Sequence, residues 1–415
     1  MKKLLIVEVV SRQEAFYYRY DIFRAQGYEL FYLTTSDRRG DYPFNAYRQA
    51  ASRQIEDLLD AAQRWHAVES FDCVLTTDEA SVVGTAIISR ALGLPGLGAH
   101  AAKSRNKWLM RQAHQSFGAP HPFFSKCDTL AEAIEFSETI GYPVVLKPTL
   151  GGDAEHVYKI NSSVEMAHYY PLAKLGNDTH SHRFIEAECA DMGPHTLLVE
   201  RFLNGSEHCI EAIISGDTVY IGSIADRLSI ELNTFDNDLY ATPTALAQSD
   251  IEALTEAVRL GAMAQGIVLG VLHAEVRFHD GKPYIVEIAA RPGGGSLQYM
   301  AKISYGYCPI IAALRVAEGR LPEQVTMRRT GRIAVGLTML CEGGVLKNIS
   351  LPENLVDNPQ VFNLKILPSI GDRIVRPPYG NDILGFLGTT GVTVDEALDT
   401  AHGIYQQLKI EIGAL

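Results

Sequence analysis

Residues 271–296, VLHAEVRFHDGKPYIVEIAARPGGGS, decide the fold. VLHAEVRF and KPYIVEIAA read as two strands flanking a turn at Asp280–Gly281. An acid inside each strand calls for an explanation, and the apolar company of Glu287 in YIVEIAA argues against two ordinary surface acids. Mg²⁺ held between nucleotide phosphates takes one or two protein carboxylates, so register decides whether Glu275 and Glu287 can share an ion. A two-residue loop of Asp280–Gly281 puts them on opposite faces of the hairpin. A three-residue loop, His279–Gly281, with Gly281 in the left-handed position, puts Glu275 opposite Ile285. Glu287 then lies diagonally on the same face, roughly 7–8 Å away. The bulged turn is therefore expected. Four residues past Glu287, Arg291 can brace a phosphoryl group or an oxyanion bidentately. Gly293, Gly294 and Gly295 let backbone approach a substrate, and Gly293–Ser296 suggests a pocket free of bulky side chains.

Upstream, Lys147 ends a strand in GYPVVLKPTLGG (residues 141–152). There its ammonium can meet ATP phosphates while N–H groups of the Gly151–Gly152 loop approach the oxygens. The plain alternative is a Lys at a sheet edge before a turn. In LVERFLNGSE (198–207) a strand ends in Glu200, Arg201, Phe202 and Leu203, and an Asn204–Gly205 turn leads to Glu207. Strand backbone can pair with an adenine edge, and a nearby carboxylate can accept ribose hydroxyls. A hairpin with solvated acids is the alternative.

The first hundred residues alternate strands (LLIVEVV, YELFYLTT, FDCVLTT) with helices (QEAFYYRYDIFRAQG, EASVVGTAIISRALG), which implies a parallel sheet. No GxGxxG follows the first strand, so a dinucleotide site is not indicated. Ser104 is the expected cap of the helix NKWLMRQAHQSFG. Strand PFFSKC, a helix over Leu130–Ile140 and strand PVVLKP follow, then a strand and two polar helices over 155–190. From Thr196 the texture turns to β, broken by a helix over Ser249–Gln265. The last ninety residues look like a separate β-rich lobe closed by a helix at Val394–Leu408.

Composition is that of an ordinary soluble globular protein, with 47% hydrophobic and 21% charged residues among 415. No stretch approaches the roughly 20 apolar residues that span a bilayer. The start, MKKLLIVEVV, is too short and interrupted by Glu8 to read as a signal peptide. A formal charge of −12 argues against a nucleic-acid surface. Cys73, Cys127, Cys189, Cys209, Cys308 and Cys341 lack metal-like spacing, which fits reduced thiols in a cytoplasmic protein.

The order Lys107, Lys147, Glu200 to Glu207, Glu275, Glu287 and Arg291 resembles the ATP-grasp superfamily over roughly residues 100–320. EIAARPGGG resembles, more narrowly, the L-amino acid ligases, which join unprotected amino acids into dipeptides. The resemblance implies an α/β protein with α+β lobes: a Rossmann-like domain at 1–100, an ATP-grasp domain at 101–320 with a lid at about 118–198, and a C-terminal β-rich lobe at 321–415. It implies ATP with Mg²⁺ (or Mn²⁺) as cofactors. Phosphates would be held by Lys107, Lys147, Gly151 and Gly152, and adenine by the backbone of Glu200 and Leu203 around Phe202. Glu207 would take the ribose, Glu275 and Glu287 the metal. Arg291 would steady the acyl-phosphate, with Gly293, Gly294 and Ser296 beside the substrate. The implied activity joins a carboxylate to an amine, amino acids for preference, with release of ADP and phosphate. The implied partners are small molecules, with neither nucleic acid nor membrane, in a possible homodimer. Three departures stand out: GGDAEHV (151–157) is poorer in Gly and Ser than the usual loop, Ala289 replaces a frequent Asn, and Tyr240 in FDNDLYATP stands near a frequent Gly-His pair. Asp153, Glu155 and His156 then imply a different lid contact, and Tyr240, Asp236 and Asp238 are candidates to meet an amino group, with a solvated loop as the equal alternative. The alternatives are an ATP-grasp carboxylase or formyl-phosphate enzyme of nucleotide-precursor metabolism, and a non-catalytic ATP-binding regulatory protein.

Overall fold

The computed structural model describes residues 1–9, 16–35, 40–52, 54–152, 154–179, 192–229, 239–352, 355, 358–380 and 382–414. Asp153, Cys189, Asp236 and Asp238 lie outside them.

The chain begins with β1 (Lys2–Val7), α1 (Tyr18–Ala25), β2 (Tyr28–Thr34), β3 (Ala46–Gln49), α2 (Ile55–Glu69), β4 (Cys73–Leu75) and α3 (Val82–Ala91). The strands pair in the order β3-β2-β1-β4, all parallel. Helices cover both faces, which explains the unbroken apolar run of β1. Leu4 and Ile6 pack with Tyr20 and Phe23, whereas Leu5 and Val7 pack with Leu58 and Trp65. In a parallel sheet the loops after the strands gather at one edge, where ligands bind. The loop after β4 carries Thr77, Asp78 and Glu79 to that edge.

Next come α4 (Lys107–Phe117), β5 (Phe124–Cys127), α5 (Leu130–Ile140), β6 (Val144–Pro148), β7 (Tyr158–Ile160), α6 (Ser163–Thr179) and β8 (Leu197–Arg201). The cap of α4 is Asn106 rather than Ser104. Asn106 has the extended backbone a cap requires, and its side-chain oxygen accepts from the N–H groups of Trp108 and Leu109 at 2.9 and 3.1 Å. Ser104 sits in the preceding 3₁₀ turn, 3.3 Å from Gln265 Nε2. The cap places Lys107 at the first helical position. A capping box of Thr129 and Glu132 starts α5. The four strands form an antiparallel sheet in the order β5-β8-β6-β7. Apolar residues of α5 and α6 cover it, Ala133, Met166 and Ala173 among them. Of the two polar helices expected over 155–190, the described residues contain α6.

The remaining elements are β9 (Glu207–Ser215), β10 (Thr218–Ser229), β11 (Leu239–Thr242), α7 (Gln248–Ala264), β12 (Leu269–His279), β13 (Lys282–Ala289), α8 (Leu297–Tyr305), α9 (Pro309–Ala317), β14 (Ile333–Met339), β15 (Gly344–Ser350), β16 (Val361–Ile366), β17 (Arg373–Ile374), β18 (Gly385–Gly391), α10 (Val394–Gln407) and β19 (Lys409–Gly413). Eight strands make one sheet in the order β13-β12-β9-β10-β11-β14-β18-β16, while β17-β15-β19 make a small sheet. The last ninety residues are thus joined to the preceding region through β14, which pairs with β11. Helix α7 lies close on the large sheet. A methyl group at Gly261 would come within 2.5 Å of Ile285 Cδ1, so a larger residue there would require the isoleucine side chains of β13 to shift.

The hairpin departs from the expected register and keeps its consequence. His279 pairs with Lys282, which leaves a two-residue turn of Asp280 and Gly281, both at positive φ (49° and 72°). That is the twist hairpins favour. The extra residue falls further along: Val276 pairs with Ile285 and Glu275 with Glu287, so Val286 is bulged out. The bulge shifts the alternation by one residue and puts both glutamates on one face, directly opposite rather than diagonal.

Candidate active site

A cavity of about 450 Å³ opens between the antiparallel sheet of β5–β8 and the large sheet, with the loop after β4 closing one end. Val145, Lys147, Glu200 and Leu203 line it from one sheet, and Glu275, Arg277, Val286 and Glu287 from the other. The C-terminal strands supply Leu337 and Phe386.

Glu275 and Glu287 face each other across one rung of the ladder, where backbones approach to about 5 Å. Lys107 Nζ donates to Glu287 Oε1 at 3.0 Å and to the Gly151 carbonyl at 3.2 Å. Among the described residues no Lys or Arg lies within 4 Å of Glu275, and His273 Nε2 stands 3.9 Å from it. Burial pushes the Glu275 carboxyl up to about 7, helped by the like charges of Glu207 and Glu287. Such a crowded pair fits a divalent cation, which would neutralise both acids with the oxygen ligands Mg²⁺ prefers. Cys209, His273 and Glu275 also bring ligand atoms within 4.8 Å of one another. The Cys209 thiol, however, is pushed well up by burial and stays protonated, and His273 Nδ1 is held by Glu211 Oε1 at 2.7 Å. The hard-ion pair fits better.

Glu200 is consumed by its neighbours. Arg111 Nε donates to Oε1 and Lys147 Nζ to Oε2, each at 2.6 Å. Burial alone would raise its carboxyl; the two cations outweigh that and hold it down at about 2. Burial lowers the Lys147 ammonium, against the pull of Glu200. Arg111 Nη2 also donates to the Val286 carbonyl at 2.7 Å. Arg111 therefore pins the bulge that aligns the two glutamates. Sequence reading passed over Arg111, though it stands four residues after Lys107 on the same helical face.

Glu207, expected at a ribose, is gripped by Arg227 and Arg277. Burial would raise its carboxyl, but the two guanidinium groups lower it. Each oxygen can still accept a second hydrogen bond. Arg277 Nη1 donates to the Leu203 carbonyl at 2.8 Å, and Phe202 packs under Lys159 and Arg277 rather than lining the cavity.

Arg291 lines the cavity and donates through Nε to Glu79. Glu79 also accepts from Arg105 Nη1 at 2.6 Å. Burial works against the Glu79 charge, and Arg291, Arg105 and Lys107 together hold its carboxyl well below the usual range. The one signal for Glu79 in the sequence was its place just after a parallel strand.

The glycine loop divides. Gly294 and Ser296 line the cavity with Gly295, and Gly294 has open space where a side chain would stand. Ser296 Oγ accepts from Asn363 Nδ2 at 3.0 Å. Gly293 does not reach the cavity. Its N–H donates to both oxygens of Glu211, and a methyl group there would lie 2.1 Å from Glu211 Oε1. Gly293 therefore shapes the loop from behind. In the other loop, Gly151, Gly152 and Glu155 line the cavity, and His156 N donates to the Pro378 carbonyl at 2.8 Å. Ala289 and Tyr240 line it as well.

Two family models match the chain: the ATP-grasp domain over residues 140–299, and the L-amino acid ligase C-terminal domain 2 over residues 337–413. The carbamoyl phosphate synthase large chain of Mycobacterium bovis is 30% identical over 181 residues, which is 42% of this chain and 14% of that one. This chain spans 14–20% of the length of such curated relatives. The crystal structure of an L-amino acid ligase from Bacillus licheniformis superposes with a TM-score of 0.82 at 22% identity, covering 100% of this chain and 99% of that one. That of phosphoribosylglycinamide synthetase from Anaerococcus prevotii gives 0.69 at 17% identity, covering 99% and 100%. At these identities the superpositions establish the fold alone. The chain thus carries an ATP-grasp domain over residues 140–299 and, after it, an L-amino acid ligase C-terminal domain 2 over residues 337–413.

Proposed function

We propose that the protein is an ATP-dependent carboxylate–amine ligase that works through an acyl-phosphate, with amino acids as its substrates. One observation carries this reading. Glu275 and Glu287 are paired across a bulge, and Lys107, Lys147 and Arg291 converge on the same cavity. ATP binding alone has less need of Arg291.

In the proposed reaction Lys107 and Lys147 neutralise phosphate charge, while the strand end at Glu200–Leu203 meets adenine and Glu207 the ribose. Glu275 and Glu287 would hold Mg²⁺, which when bound would supply charge neutralisation to the nucleotide phosphates. The substrate carboxylate attacks the γ-phosphorus in line; the bond to ADP breaks, giving an acyl-phosphate. A neutral amine attacks the acyl carbon, Arg291 steadies the oxyanion, and phosphate leaves as the nitrogen loses its proton. The segment at about 118–198 acts as the lid that keeps water from the intermediate. The C-terminal domain match supports amino acids as substrates.

The test is ADP and phosphate release from Mg-ATP against the twenty L-amino acids, singly and in pairs, with products weighed by mass spectrometry. Pair-dependent release with a product one water lighter than the sum is expected. Dependence on bicarbonate or formate would replace this reading with the carboxylase or formyl-phosphate type. ATP binding with no turnover in any mixture would leave the regulatory protein.

A further inference from the structure

Arg19 is set apart from the other cations deep in the cavity wall. Glu79, Glu200, Glu207 and Glu287 each hold a cation. Arg19 is 2% exposed and lines the same cavity, yet among the described residues no carboxylate lies within salt-bridge distance of it. Its bonds go to neutral oxygens: Nε to the Tyr18 hydroxyl at 3.0 Å and Nη1 to the Thr77 carbonyl at 3.1 Å. The rings of Phe16 and Tyr18 stand 5.4 and 5.8 Å from the guanidinium carbon. Burying a cation without a counter-charge is costly, and cation–π contacts offset only part of it. A site of this kind is completed by an anion from outside.

The position says which anion. The reacting carboxylate must meet the γ-phosphate beside Glu275, Glu287 and the two lysines. Arg19 sits elsewhere: its partner Thr77 precedes Glu79 by two residues, and Glu79 reaches Arg291. Tyr18 packs on Tyr299 of α8, ring centroids 5.1 Å apart, and α8 begins directly after the Gly293–Ser296 loop. Arg19 therefore belongs to the Arg291–Ser296 end of the cavity, where the amine arrives. We infer that Arg19 binds the free carboxylate of the amine substrate, which makes that substrate an α-amino acid rather than a simple amine. The fork of the guanidinium, held flat by two rings and two hydrogen bonds, is preorganised for a bidentate carboxylate. This assignment rests on the ligase reading above.

The test compares each accepted amine substrate with its α-carboxamide, which keeps the amine and loses the negative charge. The wild type should prefer the acid by about 10²-fold or more in kcat/KM, because the amide leaves a buried charge unmatched. Arg19→Met should erase most of that preference and raise KM for the amino acid by at least about tenfold. KM for ATP should stay within about twofold, since nucleotide binding lies at the other end. Arg19→Lys should restore part of the preference. Equal use of acid and amide by the wild type overturns the assignment without need of any variant. So does an intact preference in folded Arg19→Met, while ligation itself stands. A wild type that ligates no acid–amine pair overturns the ligase reading and this assignment together.

Discussion

Arg291→Ala is expected to lower the ligation rate by about 10³-fold while changing nucleotide affinity by less than about threefold. Arg291 lies beyond the acids proposed to hold the metal, on the loop that continues β13, and donates to Glu79 and to the Pro292 carbonyl. In the proposed mechanism its guanidinium meets the negative charge that develops on the acyl oxygen, so the loss should fall on kcat. The variant should fold, because Glu79 keeps Arg105 as a partner at 2.6 Å. Rates from ADP release and affinities from ATP titration separate the two effects. A large loss of ATP affinity would contradict the role given to Arg291.

Glu275→Gln should abolish ligation and, at the same time, stabilise the metal-free protein at pH 8. Burial and the neighbouring acids raise this carboxyl from 4.5 to about 7. A carboxyl whose folded pKa is raised makes no difference below its unfolded value, where both states are protonated. Between about 4.5 and 7 the folded state holds the extra proton, so stability falls as pH rises through that window. Above it the charge is borne at full cost. Water reaches about 31% of the side chain, which brings the expected cost down to about 1–2 kcal/mol. Thermal melts should show the Gln variant a few degrees above wild type at pH 8 and level with it near pH 4.5. Added Mg²⁺ should raise the melting temperature of the wild type and not of the variant. Equal melting at pH 8, with the same response to Mg²⁺, would remove Glu275 from the metal site.

The sequence carried the chemistry better than the geometry that assembles it. Strands β6, β8, β12 and β13 were legible because each pairs an apolar run with turn residues, and their acids and lysines stood out against that background. The register of the β12–β13 hairpin was not legible. Two solutions put Glu275 and Glu287 on one face, a bulge in the turn or a bulge at Val286, and the Arg111 contact to the Val286 carbonyl favours the second. That contact spans 175 residues and leaves no local trace. The same holds for Glu79 and Arg19, which reach the cavity from the parallel sheet. Asn106 took the cap from Ser104 because Ser104 itself ends a 3₁₀ turn, Ala101–Ser104, that is held by Gln265, again a distant partner. Glu200 and Glu207 were read as ligand contacts in isolation, although buried carboxylates need cations of their own, here Arg111, Lys147, Arg227 and Arg277.

The most direct test of the central claim is to label the oxygens of the donor carboxylate with the heavy isotope and follow them through one turnover with Mg-ATP. An acyl-phosphate intermediate requires that the released inorganic phosphate carry one labelled oxygen, with ADP unlabelled. Label appearing in AMP, with pyrophosphate released in place of phosphate, would mean adenylation and contradict the mechanism.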